Sequence, residues 1–234
     1  MMNEIIASSK TPDGSEFILY RHKDEYIIRV NGHILMSSGN SDSERTLAEL
    51  ARSYMKDAVS PNVLVGGLGM GYTLRAALDF LPREAKVWVI EIVPAIIEWN
   101  KGILGSLNGF PLHDPRVCVL KSDVWDFLEN PPELFDAILL DVDNGPAAPS
   151  LKQNMRLYTS KGLTLIKKAL KSNGAFTVWS ADSDKGFSQK LRQNGFSLRT
   201  SRLPIQKGNR ENYIIYLARK SHEQCPVSKF HPIQ

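Results

Sequence analysis

The sequence predicts an α/β protein, a doubly wound and mostly parallel sheet preceded by a small N-terminal β-hairpin lobe. Three observations predict it. From Asn62 onward, short apolar runs alternate with helix-forming stretches. The run Val63-Leu64-Val65 enters a loop holding Gly66, Gly67, Gly69 and Gly71, then leaves into a helical stretch. Ahead of it, Glu16–Arg21 and Glu25–Val30 are β-rich, and Asn31-Gly32 after them is a type I′ hairpin signal.

The elements follow in order. His33–Met36 returns the hairpin, and Ser41, Asp42 or Ser43 is placed to cap a helix running to about Met55. The lobe and its linking helix, residues 1–60, end near Ser60-Pro61. The α/β domain takes 61–219, with strands expected at 62–66, 86–91, 116–120, 135–141 and 174–179. Helices are expected at 71–80, 94–103, 124–129, 159–171 and 184–193. Strands near 196–202 and 212–218 have no helix between them, so a closing antiparallel hairpin is expected. Residues 220–234 lack periodicity and read as a tail.

Composition narrows the class. A chain with 42% apolar and 23% charged residues has the means to bury a core and is not generally disordered. No apolar run approaches the roughly 18–20 residues of a bilayer span, so no membrane partner is expected. The start, MMNEIIASSKTPDG, lacks the basic-then-apolar pattern of a secretory signal. Cys118 sits in an apolar run and Cys225 in a polar stretch, no bridge between them is expected, and the expected location is cytoplasmic. Residues 151–234 hold 16 Lys and Arg against 4 Asp and Glu, whereas residues 1–150 hold 13 against 21. The positive residues are dispersed without aromatic interleaving. They read as a solvated face, which disfavours nucleic acid as a partner.

In a doubly wound sheet the ligand crevice lies at the carboxyl ends of the strands, so polar residues there carry the information. The glycine loop either packs helix on strand or passes close to a nucleoside. The dinucleotide pattern needs a small residue at position 72, where Tyr72 stands. Glu91 ends the second strand and is placed to accept both ribose hydroxyls. Asp123 follows the third strand, as a helix cap, an acceptor for an adenine amino group, or both. The fourth strand delivers Asp141, Asp143 and Asn144 in LLDVDNGP. Tyr158 and Trp179 either wall an acceptor pocket or pack in the core. His22, His33 and His113 have no spacing that suggests a metal or a triad, and no metal is expected.

With these residues in place, the chain resembles the spermidine synthase (polyamine aminopropyltransferase) branch of the class I S-adenosylmethionine-dependent methyltransferase superfamily, over about residues 16–218. The likeness is carried by the N-terminal hairpin, the glycine loop, the Glu of VIEIVP, the DPRVCV…D stretch at 114–123, FDAILLD and LYTSKGL. It implies a Rossmann-like methyltransferase sheet and a nucleoside held by Gly66, Gly67, Gly69, Gly71, Glu91, Asp123 and Val124. It also implies a proton-accepting Asp141 assisted by Asp143, with Asn144 and Tyr158 towards the amine substrate. A ribose-binding or helix-capping role for Asp141 is the alternative. A homodimer through the edge of the N-terminal hairpin is expected.

The departures bear on the donor. The family's glycine loop carries an Asp (GGGDGG) that binds the amino group of decarboxylated S-adenosylmethionine, and here Gly69 stands at that place. Its later D-S-x-D-P motif reads Asp141-Val142-Asp143-Asn144 here, and SDSERTLAEL lacks the family's Tyr-His pair. A loop Asp beside a donor carboxylate costs on the order of 4 kcal/mol at about 4 Å. Gly69 removes that cost, so full S-adenosylmethionine is expected to be preferred over the decarboxylated form. Three reactions remain open: aminopropyl transfer, methyl transfer, and cyclisation or transfer of the aminocarboxypropyl arm with release of methylthioadenosine. A non-catalytic nucleoside- or RNA-binding scaffold is the reading of another class.

Overall fold

The computed structural model describes residues 4–11, 14–39, 41–142, 145–146, 152–204 and 212–220. Four strands, β1 (Glu4–Lys10), β2 (Glu16–His22), β3 (Glu25–Val30) and β4 (His33–Ser37), form an antiparallel sheet in that order. Asn31 and Gly32 both have positive φ, as the hairpin signal requires, and Val30 pairs with His33 across them. Thus the lobe is larger than the expected hairpin. β1 is added to it, with a register shift between Ile5 and Ala7.

Helix α1 (Asp42–Arg52) links this sheet to the second one and stops three residues short of the expected Met55. The second sheet has seven strands. In chain order they are β5 (Asn62–Gly66), β6 (Lys86–Glu91), β7 (Val117–Lys121), β8 (Phe135–Leu140), β9 (Leu170–Ser180), β10 (Phe196–Pro204) and β11 (Asn212–Lys220). In space they run β10-β11-β9-β8-β5-β6-β7, so the order reverses between β5 and β8. Strands β5 to β9 pair in parallel. The last two form the expected antiparallel hairpin, and β11 inserts between β9 and β10.

Each central strand is buried on both faces, which is why it reads as an apolar run. Val63, Val65, Val87, Val89, Ala137 and Leu139 point into one core, with α1, α2 (Tyr72–Phe80) and α3 (Pro94–Lys101). Phe17, Leu19 and Ile28 of the N-terminal sheet join that same core. Leu64, Ile90, Ile138 and Leu140 point into the other, with α4 (Val124–Glu129), α5 (Ser160–Ala169) and α6 (Lys185–Gln193). The expected helix 159–171 ends earlier because Leu170 is fully buried and pairs with Phe135 as the first residue of β9. No helix among the described residues is long and apolar enough to cross a membrane. Cys118 is a half-buried free thiol, and Cys225 lies outside the described residues.

Candidate active site

A cavity of about 410 Å³ opens at the carboxyl ends of β5, β6 and β8, where the strand order reverses. The glycine loop forms its floor. Gly67 (φ +86°) is obligatory, because a Cβ there would collide with the backbone carbonyl of Asp141. Gly69 (φ +52°) faces Met36 of β4, whose methyl carbon lies 2.6 Å from where a Cβ would stand. Leu68 and Met70 turn down into the core. Asn100 donates to the Gly69 carbonyl at 2.8 Å and Asn108 to that of Met70 at 2.6 Å, which pins the loop from beneath.

Glu91 is only 6% exposed and lines the cavity. Its two oxygens accept the backbone N–H groups of Leu68 (2.9 Å) and Val93 (2.8 Å), so it ties the glycine loop to the turn before α3. Burial pushes its carboxyl above the ordinary carboxylate range, and those backbone bonds oppose the shift. Asp123 caps α4 through the Trp125 N–H at 2.7 Å. Its other oxygen accepts from Arg156 at 2.6 Å, and the Arg156 guanidinium lies over the Trp125 ring.

Asp141 accepts the Thr73 hydroxyl at 2.8 Å. Its carboxyl is pushed up to about 7, chiefly by burial and then by the Glu44 carboxylate, with the Thr73 bond acting the other way. Glu44, in the first turn of α1, accepts the Ser43 hydroxyl at 2.6 Å and is itself pushed up, chiefly by burial. The lining holds four acids, Glu44, Glu91, Asp123 and Asp141, and no Lys or Arg among the described residues.

Of the residues expected from the sequence, Gly67, Gly69, Glu91, Asp123, Val124 and Asp141 meet at this cavity. Gly66 lies just beneath it, with no room for a Cβ against Leu140 and Val124. Gly71 starts α2 beside Asn100. Asp143 and Asn144 lie outside the described residues. Tyr158 is a correction: it does not line the cavity but is 4% exposed, edge-on to Phe187 in the core, whereas Trp179 and Tyr213 do line it. Sequence reading missed Glu44, Met36 and Arg156. Glu44 stands four residues before the buried Ala48 of α1, and that spacing marked the face it shares. The preference for full S-adenosylmethionine is also corrected. The space opposite Gly69 is occupied by Met36, and among the described residues the acidic lining offers a donor carboxylate no cation.

Fold and cavity together define a doubly wound α/β protein with an acid-lined cavity at the reversal of its strand order. The spermine/spermidine synthase domain family matches residues 45–195, and the chain belongs to that family. The polyamine aminopropyltransferase of Oceanobacillus iheyensis is 30% identical over 162 residues, covering 67% of this chain and 30% of that protein. Polyamine aminopropyltransferase 2 of Aquifex aeolicus is 25% identical over 185 residues, 77% of this chain and 35% of that protein. The chain therefore spans about a third of the length of these curated relatives. The crystal structure of spermidine synthase from Thermotoga maritima shares the fold, with a TM-score of 0.74 and 18% identity over 93% of this chain and 73% of that one.

Proposed function

We propose that the chain transfers an aminopropyl group from decarboxylated S-adenosylmethionine to an amine. The observation that carries this is the position of Asp141: a part-buried carboxyl held at about 7, at the strand reversal, in a cavity lined by acids. Family membership supports the same reading. A donor with a sulfonium and an ammonium, and an acceptor that arrives as an ammonium, both suit a negative lining.

The glycine loop and Glu91 hold the nucleoside, and Asp123 and Val124 border its base. The acceptor ammonium gives one proton to Asp141, whose carboxyl titrates near the working pH as a general base requires. The freed nitrogen lone pair forms a bond to the propyl carbon attached to sulfur. The carbon–sulfur bond breaks with its electron pair going to sulfur, which leaves neutral methylthioadenosine and a secondary ammonium. The protein's part is alignment of nitrogen, carbon and sulfur together with the proton transfer. A homodimer through the N-terminal sheet is part of the proposal, supported by Ile5 and Ile34, which are exposed on its two outer strands. Light scattering tests it.

The test of the reaction is incubation with decarboxylated or full S-adenosylmethionine, each with 1,4-diaminobutane, followed by mass spectrometry of the nucleosides. Methylthioadenosine from the decarboxylated donor, formed in step with alkylated diamine, is expected. S-adenosylhomocysteine from the full donor would indicate methyl transfer instead. Tight binding without turnover would identify a scaffold.

A further inference from the structure

The carboxylates of the cavity are not equivalent. Glu91 has both oxygens on backbone N–H groups, and Asp123 has one on a backbone N–H and one on Arg156. Both oxygens of each of those two acids already have a partner within the protein. Glu44 and Asp141 are different: each accepts one hydroxyl, from Ser43 and Thr73 respectively, and neither forms an ion pair among the described residues. They reach the cavity from different elements, Asp141 from the mouth of β8 and Glu44 from the start of α1. Thr73 ties the two elements, as its hydroxyl also lies 3.4 Å from the Glu44 carbonyl.

Two part-buried acids within each other's field are costly unless a cation joins them. Among the described residues the lining supplies none. The walls beside the pair are aromatic: Trp179 and Tyr213, with ring centroids 5.0 Å apart, line the same cavity. The indole Nε1 of Trp179 is buried with no hydrogen-bond partner among the described residues. At Gly69, where a side chain on the loop would reach into this space, there is none, and Met36 fills the gap. Negative charge for a ligand's cationic end therefore comes from α1 instead of the glycine loop.

The geometry points to Glu44 as a specificity-determining residue that, with Asp141, clamps an ammonium group of the ligand. The inference rests on the transferase reading above, in which both donor arm and acceptor carry such a group. Glu44→Gln keeps the size and the Ser43 contact while removing the charge.

Calorimetry of wild type and Glu44→Gln separates the sources. The three probes are decarboxylated S-adenosylmethionine, methylthioadenosine (the same nucleoside without an ammonium), and 1,4-diaminobutane added to the methylthioadenosine complex. Methylthioadenosine is expected to bind both proteins equally. At least one ammonium-bearing probe is expected to weaken on the order of thirtyfold in the variant, as for loss of one partner in a buried charge pair. Weakening of the decarboxylated donor assigns the clamp to the donor arm, and weakening of the diamine assigns it to the acceptor. Glu44→Asp is expected to recover part of the loss. Equal binding of all three probes, or a loss that includes methylthioadenosine, overturns the inference and leaves the transferase reading standing. Wild type that binds no nucleoside at all overturns both.

Discussion

Arg156 places its guanidinium 2.6 Å from Asp123 Oδ2, the oxygen of that carboxylate not used in capping α4. A base amino group that seeks Asp123 meets a charge already shared. Arg156→Gln is expected to tighten methylthioadenosine binding several-fold in calorimetry. The same change is expected to cost less than about 1 kcal/mol in urea melts, because Arg156 is 39% exposed. Weaker nucleoside binding would show that Arg156 supports the base instead of competing with it.

Asp141 brings a pH dependence to folding. The unfolded chain releases this proton near the ordinary pKa of 3.8, the folded chain only near 7. Between those values the folded state holds more protons, so the group's contribution is fully present below about pH 4 and is lost as pH rises through 7. Asp141→Asn removes that loss. The variant is expected to exceed wild type by about 1–3 kcal/mol in urea melts at pH 8, with the gap closing towards pH 4.

Catalysis runs in the opposite sense. In wild type the rate is expected to rise with pH through about 7 as the basic form of Asp141 appears. Asp141→Asn is expected to slow methylthioadenosine formation by about 100-fold or more. A pH–rate profile of wild type beside single-pH rates of the variant checks both. Full activity in the variant would remove Asp141 as the base.

Gly69→Asp tests the loop. Aspartate tolerates the left-handed backbone better than most residues, but its Cβ meets the Met36 methyl at 2.6 Å. The single variant is expected to lose about 1 kcal/mol, since Met36 is flexible enough to swing away. Pairing it with Met36→Ala is expected to remove the clash and to tighten binding of decarboxylated S-adenosylmethionine relative to methylthioadenosine. Thermal melts and calorimetry read the two effects.

Glu91→Gln replaces one of two acceptors by a donor facing a backbone N–H. The variant is expected to lose about 1–3 kcal/mol of stability and most nucleoside affinity, because the Leu68 and Val93 bonds hold the glycine loop in place. Unchanged urea melts would show that Glu91 does not hold the loop.

The central fold was legible because its signals are local. Val63-Leu64-Val65 announces a strand buried on two faces, and Asn31-Gly32 sets a two-residue turn. Glu91 and Asp123 were legible for the same reason, since one ends a strand and the other stands two residues beyond one. β1 was not, because Ala7-Ser8-Ser9 has little strand character and is drawn into place by pairing with Leu19, Ile18 and Phe17. Tyr158 misled because an aromatic near a strand mouth packs equally well beneath it, here against Phe187. Glu44 escaped because SDSER reads as a helix start. Only the docking of α1 against α2 and β9 brings that acid to the cavity.

The shared core of Phe17, Leu19 and Ile28 with Val63, Val65 and Val89 joins the two sheets into one melting unit. Ile34, Leu35 and Met36, on the neighbouring strand β4, line the cavity, so its wall belongs to that unit. Heat should therefore unfold lobe and domain in a single step, and a nucleoside bound at the strand mouths should delay the unfolding of the whole N-terminal sheet as much as that of the glycine loop.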